Sequence, residues 1–311
     1  MRWAATRGAG KRVRSRRYVA AGLAALVIAV TSAAISAGAA GILPPSNPAA
    51  NIAPHPNFLA SGVCHVTLLA LPCANPCVRV DGVGPSAHVA FPIFSNAPTC
   101  IRFVLSSING ARTQEALDPI TLPSDWYSLS APQQLFVIAD LERTSRGLPP
   151  YLGLNRQLSA AAQRAALQGV DPPFAPGFNV GLDRHGVRGM GSTIAYGFSV
   201  LGADYVWMYE DGWGGSVAVT PNEACTYAGA PGCWGHRDQI LGADGSYNEG
   251  VGLHCRNCEM GAGFAVVSGV ATFTDLIELP AGSAPPMYFT WSKDVVPYLT
   301  TTSPSTTTTV P

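Results

Sequence analysis

The segment 207–241 brings together more chemically capable side chains than any other part of this chain. It holds four carboxylates, one histidine and three tryptophans within 35 residues. Glu210 and Asp211 follow a predicted helix, where the negative end of the helix dipole disfavours acidic side chains by a few tenths of a kcal/mol up to about 1. A histidine beside such acids titrates near neutrality and can bind a metal or act as a general base. His236 and Glu210 are therefore the first candidates for a catalytic or ligand-binding role.

Each candidate also has a simpler interpretation. His236 can be a cleft histidine that is hydrogen-bonded to a carboxylate and serves the structure. Glu142 lies four residues before Arg146, which predicts an ion pair along one helix face. We expect the other acids, Asp211, Glu223 and Asp238, to be exposed to solvent. The tryptophans Trp207, Trp213 and Trp234 should pack in the core and loops, although aromatic side chains also line grooves that bind carbohydrate or lipid.

The N-terminal segment, 1–41, reads as an export signal. Seven of the 19 basic residues lie in the first 17 positions, and 26 uncharged residues follow, ending near an Ala-Gly-Ala sequence. A basic head before an apolar stretch and an A-x-A site is typical of a secretory signal peptide. The stretch is also long enough to remain as an uncleaved membrane anchor. Either outcome predicts a secreted or cell-surface protein whose only membrane contact is this segment.

The charge of the exported part argues against a nucleic-acid partner. Without the basic head, 12 basic residues face 19 acidic ones. A chain with this excess of acids cannot neutralise phosphates efficiently.

All eight cysteines follow the export segment, which predicts disulfides in an oxidising compartment. Closeness in sequence favours the pairs Cys225–Cys233 and Cys255–Cys258, with the four upstream cysteines paired among themselves. The alternative is a zinc knuckle built from Cys255-x-x-Cys258 with Cys225 and Cys233.

Composition divides the rest of the chain. Five prolines in 42–63 indicate a linker, and 64–129 reads as a cysteine-containing extension of short strands followed by a helix at 99–116. The last segment, 280–311, ends in a threonine-rich sequence typical of a glycosylated or wall-spanning stalk.

Apolar spacing predicts three more helices: one from 130 to about 147, one over 156–168, and one from about Ser192 through Met208. The β-branched, partly alternating residues at 250–254 and 263–279 predict strands. The sequence therefore indicates a mixed α/β fold.

Four of these pieces resemble the CAP superfamily of cysteine-rich secretory, antigen 5 and pathogenesis-related proteins, in its divergent bacterial form. Residues 141–150 resemble the first helix of that family and its R…G…P-L turn, and 158–166 its L-x-x-A-A helix. Residues 207–210 resemble its W-x-x-E motif, and 235–237 its G-H motif. The resemblance covers 130–279 and implies an α-β-α sandwich with a central antiparallel sheet.

The resemblance also implies a cleft in which two histidines and two glutamates bind a divalent metal such as zinc in some members. His236 and Glu210 match one residue of each kind. The other histidine falls near Glu142, and the other glutamate near Ser192. Glu142, Glu210 and His236 would then form a three-ligand metal site, and the cleft would be lined by Ser192, Trp207, Asp211, Trp234 and Glu142.

We expect this cleft to bind an extracellular lipid, glycan or matrix component, with no cofactor required. No G-x-S-x-G, H-E-x-x-H or P-loop sequence is present to indicate a particular enzyme. One alternative is a metal-assisted extracellular hydrolase, peptidase-like, that uses the same cleft. Another is a structural cell-wall or adhesion protein, for which the threonine-rich tail argues.

Overall fold

In the computed structural model, all described residues belong to one compact unit within Gly41–Pro311. The export segment, the threonine-rich tail, Cys64 and Cys73 lie outside the described residues. Within them, no helix is long and apolar enough to cross a membrane. The described residues are 46–52, 77, 79–81, 88–90, 97–182, 186, 188–197, 199–214, 222–242 and 255–299.

The fold is mixed α/β, as the sequence predicts. The helices, in chain order, are α1 (Pro98–Gln114), α2 (Ala131–Thr144), α3 (Arg156–Gln168), α4 (Val200–Tyr209) and α5 (Gly235–Leu241). The strands are β1 (Arg79–Asp81), β2 (His88–Ala90), β3 (Leu154–Asn155), β4 (Met190–Tyr196), β5 (Glu259–Val267), β6 (Val270–Glu278) and β7 (Met287–Phe289).

The main sheet has five strands in the order β4-β6-β5-β3-β7, and β1 and β2 form a separate antiparallel pair. The pairs β4–β6, β5–β6 and β3–β7 are antiparallel, but β3 runs parallel to β5. The sheet is therefore mixed, whereas an antiparallel one was expected. The connection from β3 to β5 passes through α3, β4, α4 and α5, and so long a crossover allows a parallel pair.

The helix α3 packs directly on β5 and β6. Asn155 caps its first turn by accepting hydrogen bonds from the backbone N–H groups of Gln157 (2.7 Å) and Leu158 (3.2 Å). Gly261 and Gly263 of β5 face this helix, and a Cβ on either glycine would collide with the α3 backbone. The close approach of α3 to the sheet therefore depends on two positions without side chains.

The other helices form a second group around the main core. α1 packs on α4, and α2 on α4, α5 and β5, while α4 and α5 both reach β4. α2 begins with a capping box, in which Gln133 accepts from the Ser130 backbone N–H at 2.9 Å. Phe136 of α2 meets Phe289 of β7 edge to face, with ring centroids 5.7 Å apart.

The prediction of a helix starting at Ser192 is wrong. Residues 190–196 form β4, and the helix begins only at Val200, where the Ser199 side chain accepts from the Gly202 N–H. Alternate β4 residues are buried, which is the period of a strand. Ile194, which also suits helical spacing, concealed this change of period.

The folded body is longer than 130–279 at both ends. Ile52, from the expected linker, is buried, and its N–H donates to Tyr209 O at 2.9 Å. At the other end, β7 completes the sheet, and short helical turns continue to Tyr298. α1, predicted as part of an extension, also belongs to the core through α4.

The disulfide prediction is confirmed where the structure describes the cysteines. Cys225 is bonded to Cys233 and Cys255 to Cys258, and upstream Cys77 is bonded to Cys100. These cysteines are therefore crosslinks and not the ligands of a zinc knuckle.

Candidate functional site

His236 lies in the first turn of α5, and Asp211 fixes its position. Asp211 follows α4, and its Oδ2 accepts from the backbone N–H groups of His236 (2.7 Å) and Arg237 (3.2 Å). One carboxylate thereby satisfies two of the N–H groups that a helix start leaves without partners. Asp211 therefore has a structural role: its carboxylate connects the end of α4 to the start of α5.

The same carboxylate orients the imidazole ring. His236 Nδ1 lies 2.6 Å from Asp211 Oδ1, and Asn222 Nδ2 donates to that oxygen, also at 2.6 Å. The His236 side chain is 27% exposed, whereas that of Asp211 is 1% exposed. The ring is thus held at Nδ1 by a buried acid, while part of the side chain remains exposed to solvent. The expectation that Asp211 is solvated is wrong, because this pairing buries it.

Further acids act on His236 through space. Burial opposes protonation of the ring, but Asp211, with Asp171 and Asp275 in addition, outweighs it and raises the pKa of His236. Asp171 is exposed in the segment that follows α3, and Asp275 is buried in β6. Burial raises the pKa of Asp275 to about 7, although the charge of His236 acts in the opposite direction. His236 is therefore the centre of an acidic site whose charges favour the protonated form of the ring.

The sheet side of the site comes from β4 and β6. Thr193 of β4 pairs directly with Asp275 of β6, so both side chains lie on the same face of the sheet. A Cβ on Gly191 would meet the Gln239 side chain at 3.1 Å, which shows how closely α5 packs on this face. Ser192 pairs with Leu276 on the opposite face. The alternation of side chains along β4 thus places Ser192 on the other face of the sheet from His236. The prediction that Ser192 lines the same cleft as His236 is therefore wrong.

Glu210 belongs to a different network from His236. Its Oε1 accepts from the Tyr205 hydroxyl at 3.0 Å, and that hydroxyl also contacts Ile52 O at 3.2 Å. Burial raises the pKa of Glu210 to about 7, despite hydrogen bonds from Tyr205 and Asn51. Although Glu210 is adjacent to Asp211 in sequence, Asp211 is the acid that contacts His236.

Glu142 is fully buried in a third network. Its Oε2 is paired with Arg112 at 2.5 Å and with Arg146, and its Oε1 accepts from the Tyr209 hydroxyl at 2.7 Å. Burial disfavours the charged form, but the two arginines outweigh it and lower the pKa of Glu142. Glu115 extends the network to Arg146 and Arg237. The predicted ion pair with Arg146 is confirmed, and it is one part of a buried network.

The expected three-ligand metal site does not fit this arrangement. Each of its members, His236, Glu210 and Glu142, is hydrogen-bonded within its own network. Among the described residues, no group of three or more histidine, cysteine or acidic side chains is arranged to hold a metal ion. A zinc site requires three or four converging ligands. The zinc implied by the resemblance therefore has no suitable set of ligands among these residues.

The tryptophans near the site pack in the interior. Trp207 is buried and donates from Nε1 to Ile194 O at 3.1 Å, so it fixes α4 against β4. Trp234 is buried in a small cluster with the Cys225–Cys233 disulfide. Packing, the simpler interpretation of both residues, agrees with these contacts. Asp238, expected in solvent, is also buried, and its Oδ1 accepts from Asn47 Nδ2 at 2.7 Å.

The sequence analysis did not predict that two further acids, Asp171 and Asp275, lie near His236. Asp275 carried a recognisable signal, because an acid inside a strand of apolar and β-branched residues, TFTDLIEL, is unusual unless the strand meets a polar site. Asp171 carried none, since an acid in a loop rich in proline is ordinarily solvated. Asp171 lies near His236 because the end of α3 lies against β4, where the Tyr196 hydroxyl donates to Gly169 O at 2.9 Å.

Comparison with known proteins adds no relative: no family model, curated protein or solved structure matches this chain.

Proposed function

We propose that this chain is an exported CAP-like domain, with an α-β-α sandwich, that binds an extracellular ligand at His236 without chemical turnover. The observation that supports the proposal is the partly exposed imidazole held at Nδ1 by the buried carboxylate of Asp211. A ring fixed in this way offers its second nitrogen to a ligand in one orientation. The disulfides favour the extracellular location.

Binding fits the site better than hydrolysis. A general base must be unprotonated, and the acids around His236 raise its pKa, which favours the protonated form. Hydrolysis through a covalent acyl intermediate also needs a hydroxyl or thiol that the base activates. Among the described residues, no serine, threonine or cysteine is hydrogen-bonded to the His236 ring, and the described cysteines are all in disulfides. The structural wall or adhesion alternative depends on the threonine-rich tail, outside the described residues.

The charge of the site indicates the class of ligand. Three carboxyl groups, those of Asp211, Asp171 and Asp275, act on one imidazole, and that of Asp171 is the exposed one. Such a site favours positive charge and hydroxyl groups, because carboxylates accept hydrogen bonds from ammonium and hydroxyl groups and a protonated imidazole donates to a hydroxyl oxygen. An oligosaccharide of amino sugars carries both groups, so we take amino-sugar polymers as the ligand class.

Calorimetry with the full exported chain tests the proposal, using a glucosamine tetramer and an N-acetylglucosamine tetramer as probes. We expect the glucosamine probe to bind more tightly, since only it is cationic. His236→Ala and Asp211→Asn should each weaken binding about 10-fold or more, because a hydrogen bond to a charged group contributes about 1.5–3 kcal/mol. Glu210→Gln is the matched control and should leave affinity unchanged. Binding that is absent for both probes, or unaffected by His236→Ala, would contradict the proposal.

A further inference from the structure

A second pair of buried acids lies away from His236, where β5 begins and β6 ends. Glu259 and Glu278 are directly paired across these antiparallel strands, and both are fully buried. Directly opposed residues share one face of a sheet, with Cβ atoms about 4.5–5.5 Å apart. Two ionised carboxylates in this position would repel each other strongly, since little water is present to screen them.

Each glutamate uses one oxygen and leaves the other without a partner. Glu259 Oε2 accepts from Asn155 Nδ2, and Glu278 Oε1 accepts from the Ala175 backbone N–H, both at 2.8 Å. Glu259 Oε1 and Glu278 Oε2 are buried and have no hydrogen-bond partner among the described residues. Buried polar atoms are almost always hydrogen-bonded, so these two orphaned oxygens require an explanation.

The groups packed around the pair supply no compensating positive charge. The first residue of α3, Arg156, has its guanidinium over the Tyr288 ring at 5.2 Å, and Arg188 has its own over the Phe174 ring at 5.0 Å. No basic side chain forms an ion pair with either glutamate within the described ranges.

The neighbours that do face the pair are neutral. Asn155, the α3 cap, binds one glutamate, the Ala175 backbone binds the other, and Met190 of β4 pairs with Glu278. Burial raises the pKa of Glu259 to about 7, opposed by the Asn155 hydrogen bond and reinforced by the charge of Glu278; burial also raises that of Glu278.

We infer that Glu259 and Glu278 share one proton between their two unpartnered oxygens, forming a carboxyl–carboxylate pair. The protonated oxygen of one donates to the free oxygen of the other, and the pair carries a single negative charge. This pair holds two segments to the sheet. Through Asn155 it holds the start of α3, and through Ala175 it holds the segment that follows α3. Loss of the proton above neutral pH restores the repulsion and weakens both attachments. The pair is therefore a pH-sensitive contact that stabilises the attachment of these segments to the sheet most strongly at mildly acidic pH.

The pH dependence of unfolding tests this inference. In the unfolded chain both glutamates are ionised above about pH 5.5, so unfolding releases the shared proton, and the unfolding equilibrium constant rises up to tenfold per pH unit from this pair. We expect urea titrations of the full exported chain between pH 5.5 and 7.5 to show a slope one proton steeper for the wild type than for Glu259→Gln or Glu278→Gln. In each variant an amide N–H replaces the shared proton at every pH. The exposed Glu223→Gln is the control and should keep the wild-type slope.

Two outcomes would overturn the inference. One is the same slope in the wild type and both variants. The other is stabilisation of the wild type at pH 8 by 1 mM CaCl₂ that Glu259→Gln abolishes, because the two oxygens would then hold a cation. Should the variants fail to fold, carbon-13 titration of the wild-type glutamate carboxyls decides: a shared proton requires one of the two to titrate above the ordinary glutamate range, and two ordinary titrations contradict it.

Discussion

Replacing Glu142 by glutamine should destabilise the fold strongly without touching the ligand site. The Glu142 side chain is completely buried, and so is that of Arg112, while Arg146 is 2% exposed. Glutamine keeps the shape but removes the charge that both arginines face. Arg146 retains Glu115 at 2.7 Å, whereas Arg112 has no second ion pair among the described residues and retains the backbone acceptor Asp118 O at 2.9 Å.

The size of the effect follows from the unpaired charge. Removing one partner of a buried ion pair costs about 3–5 kcal/mol, far more than the pair itself contributes over apolar residues. The Tyr209 hydroxyl can still donate to the glutamine oxygen, so its hydrogen bond adds little to the loss. With an m-value of about 2–3 kcal/mol per molar urea, the midpoint of unfolding should fall by about 1–2 M.

Urea unfolding followed by tryptophan fluorescence measures this shift, and Glu223→Gln on the surface should change the free energy of unfolding by less than about 0.5 kcal/mol. The reasoning would be refuted by a loss below about 1 kcal/mol for Glu142→Gln. A small loss together with reduced zinc binding would instead return Glu142 to the role of a metal ligand.

Two further predictions concern the sheet. Gly261→Ala should lower the free energy of unfolding by about 1–3 kcal/mol or more, because the added Cβ would collide with the Leu158 backbone. Gly282→Ala, which has open space around the added Cβ, should leave the stability unchanged. Thermal unfolding of both variants checks this prediction. Asp275 has a folded pKa of about 7, above its unfolded value, so the folded state holds its proton longer and stability falls as pH rises from about 4 to 7. Asp275→Asn should make this fall less steep in urea titrations, by at most about 1.4 kcal/mol per pH unit, and an unchanged slope would contradict the assigned protonation.

Local sequence signals predicted α1, α2 and α3 well, but the start of α4, all of α5 and much of the site were not predicted. The first three helices follow from apolar spacing, because this pattern acts within a few residues. The segment of β4 was predicted as helix because Ile194 suits either period over so short a segment. The parallel pairing of β3 with β5 could not be predicted, since one residue pair, Leu154 with Met260, carries it over more than 100 positions.

The identity of the histidine's partner shows where sequence reasoning stops. Glu210 and Asp211 are adjacent at the end of α4, and both are acidic. Which of them meets His236 depends on how the chain leaves the helix: Asp211 turns toward α5, and Glu210 toward Tyr205 and Ile52. No local pattern in the sequence indicates which of the two acids takes which direction.

The pKa of His236, measured by NMR titration of its ring protons, tests the central claim most directly. If Asp211 holds and charges the ring, Asp211→Asn should lower that pKa relative to the wild type, because the variant removes the negative charge and the accepting oxygen that favour the protonated form. Glu210→Gln should leave the pKa where it is in the wild type. A pKa that falls in Glu210→Gln and stays unchanged in Asp211→Asn would contradict the account.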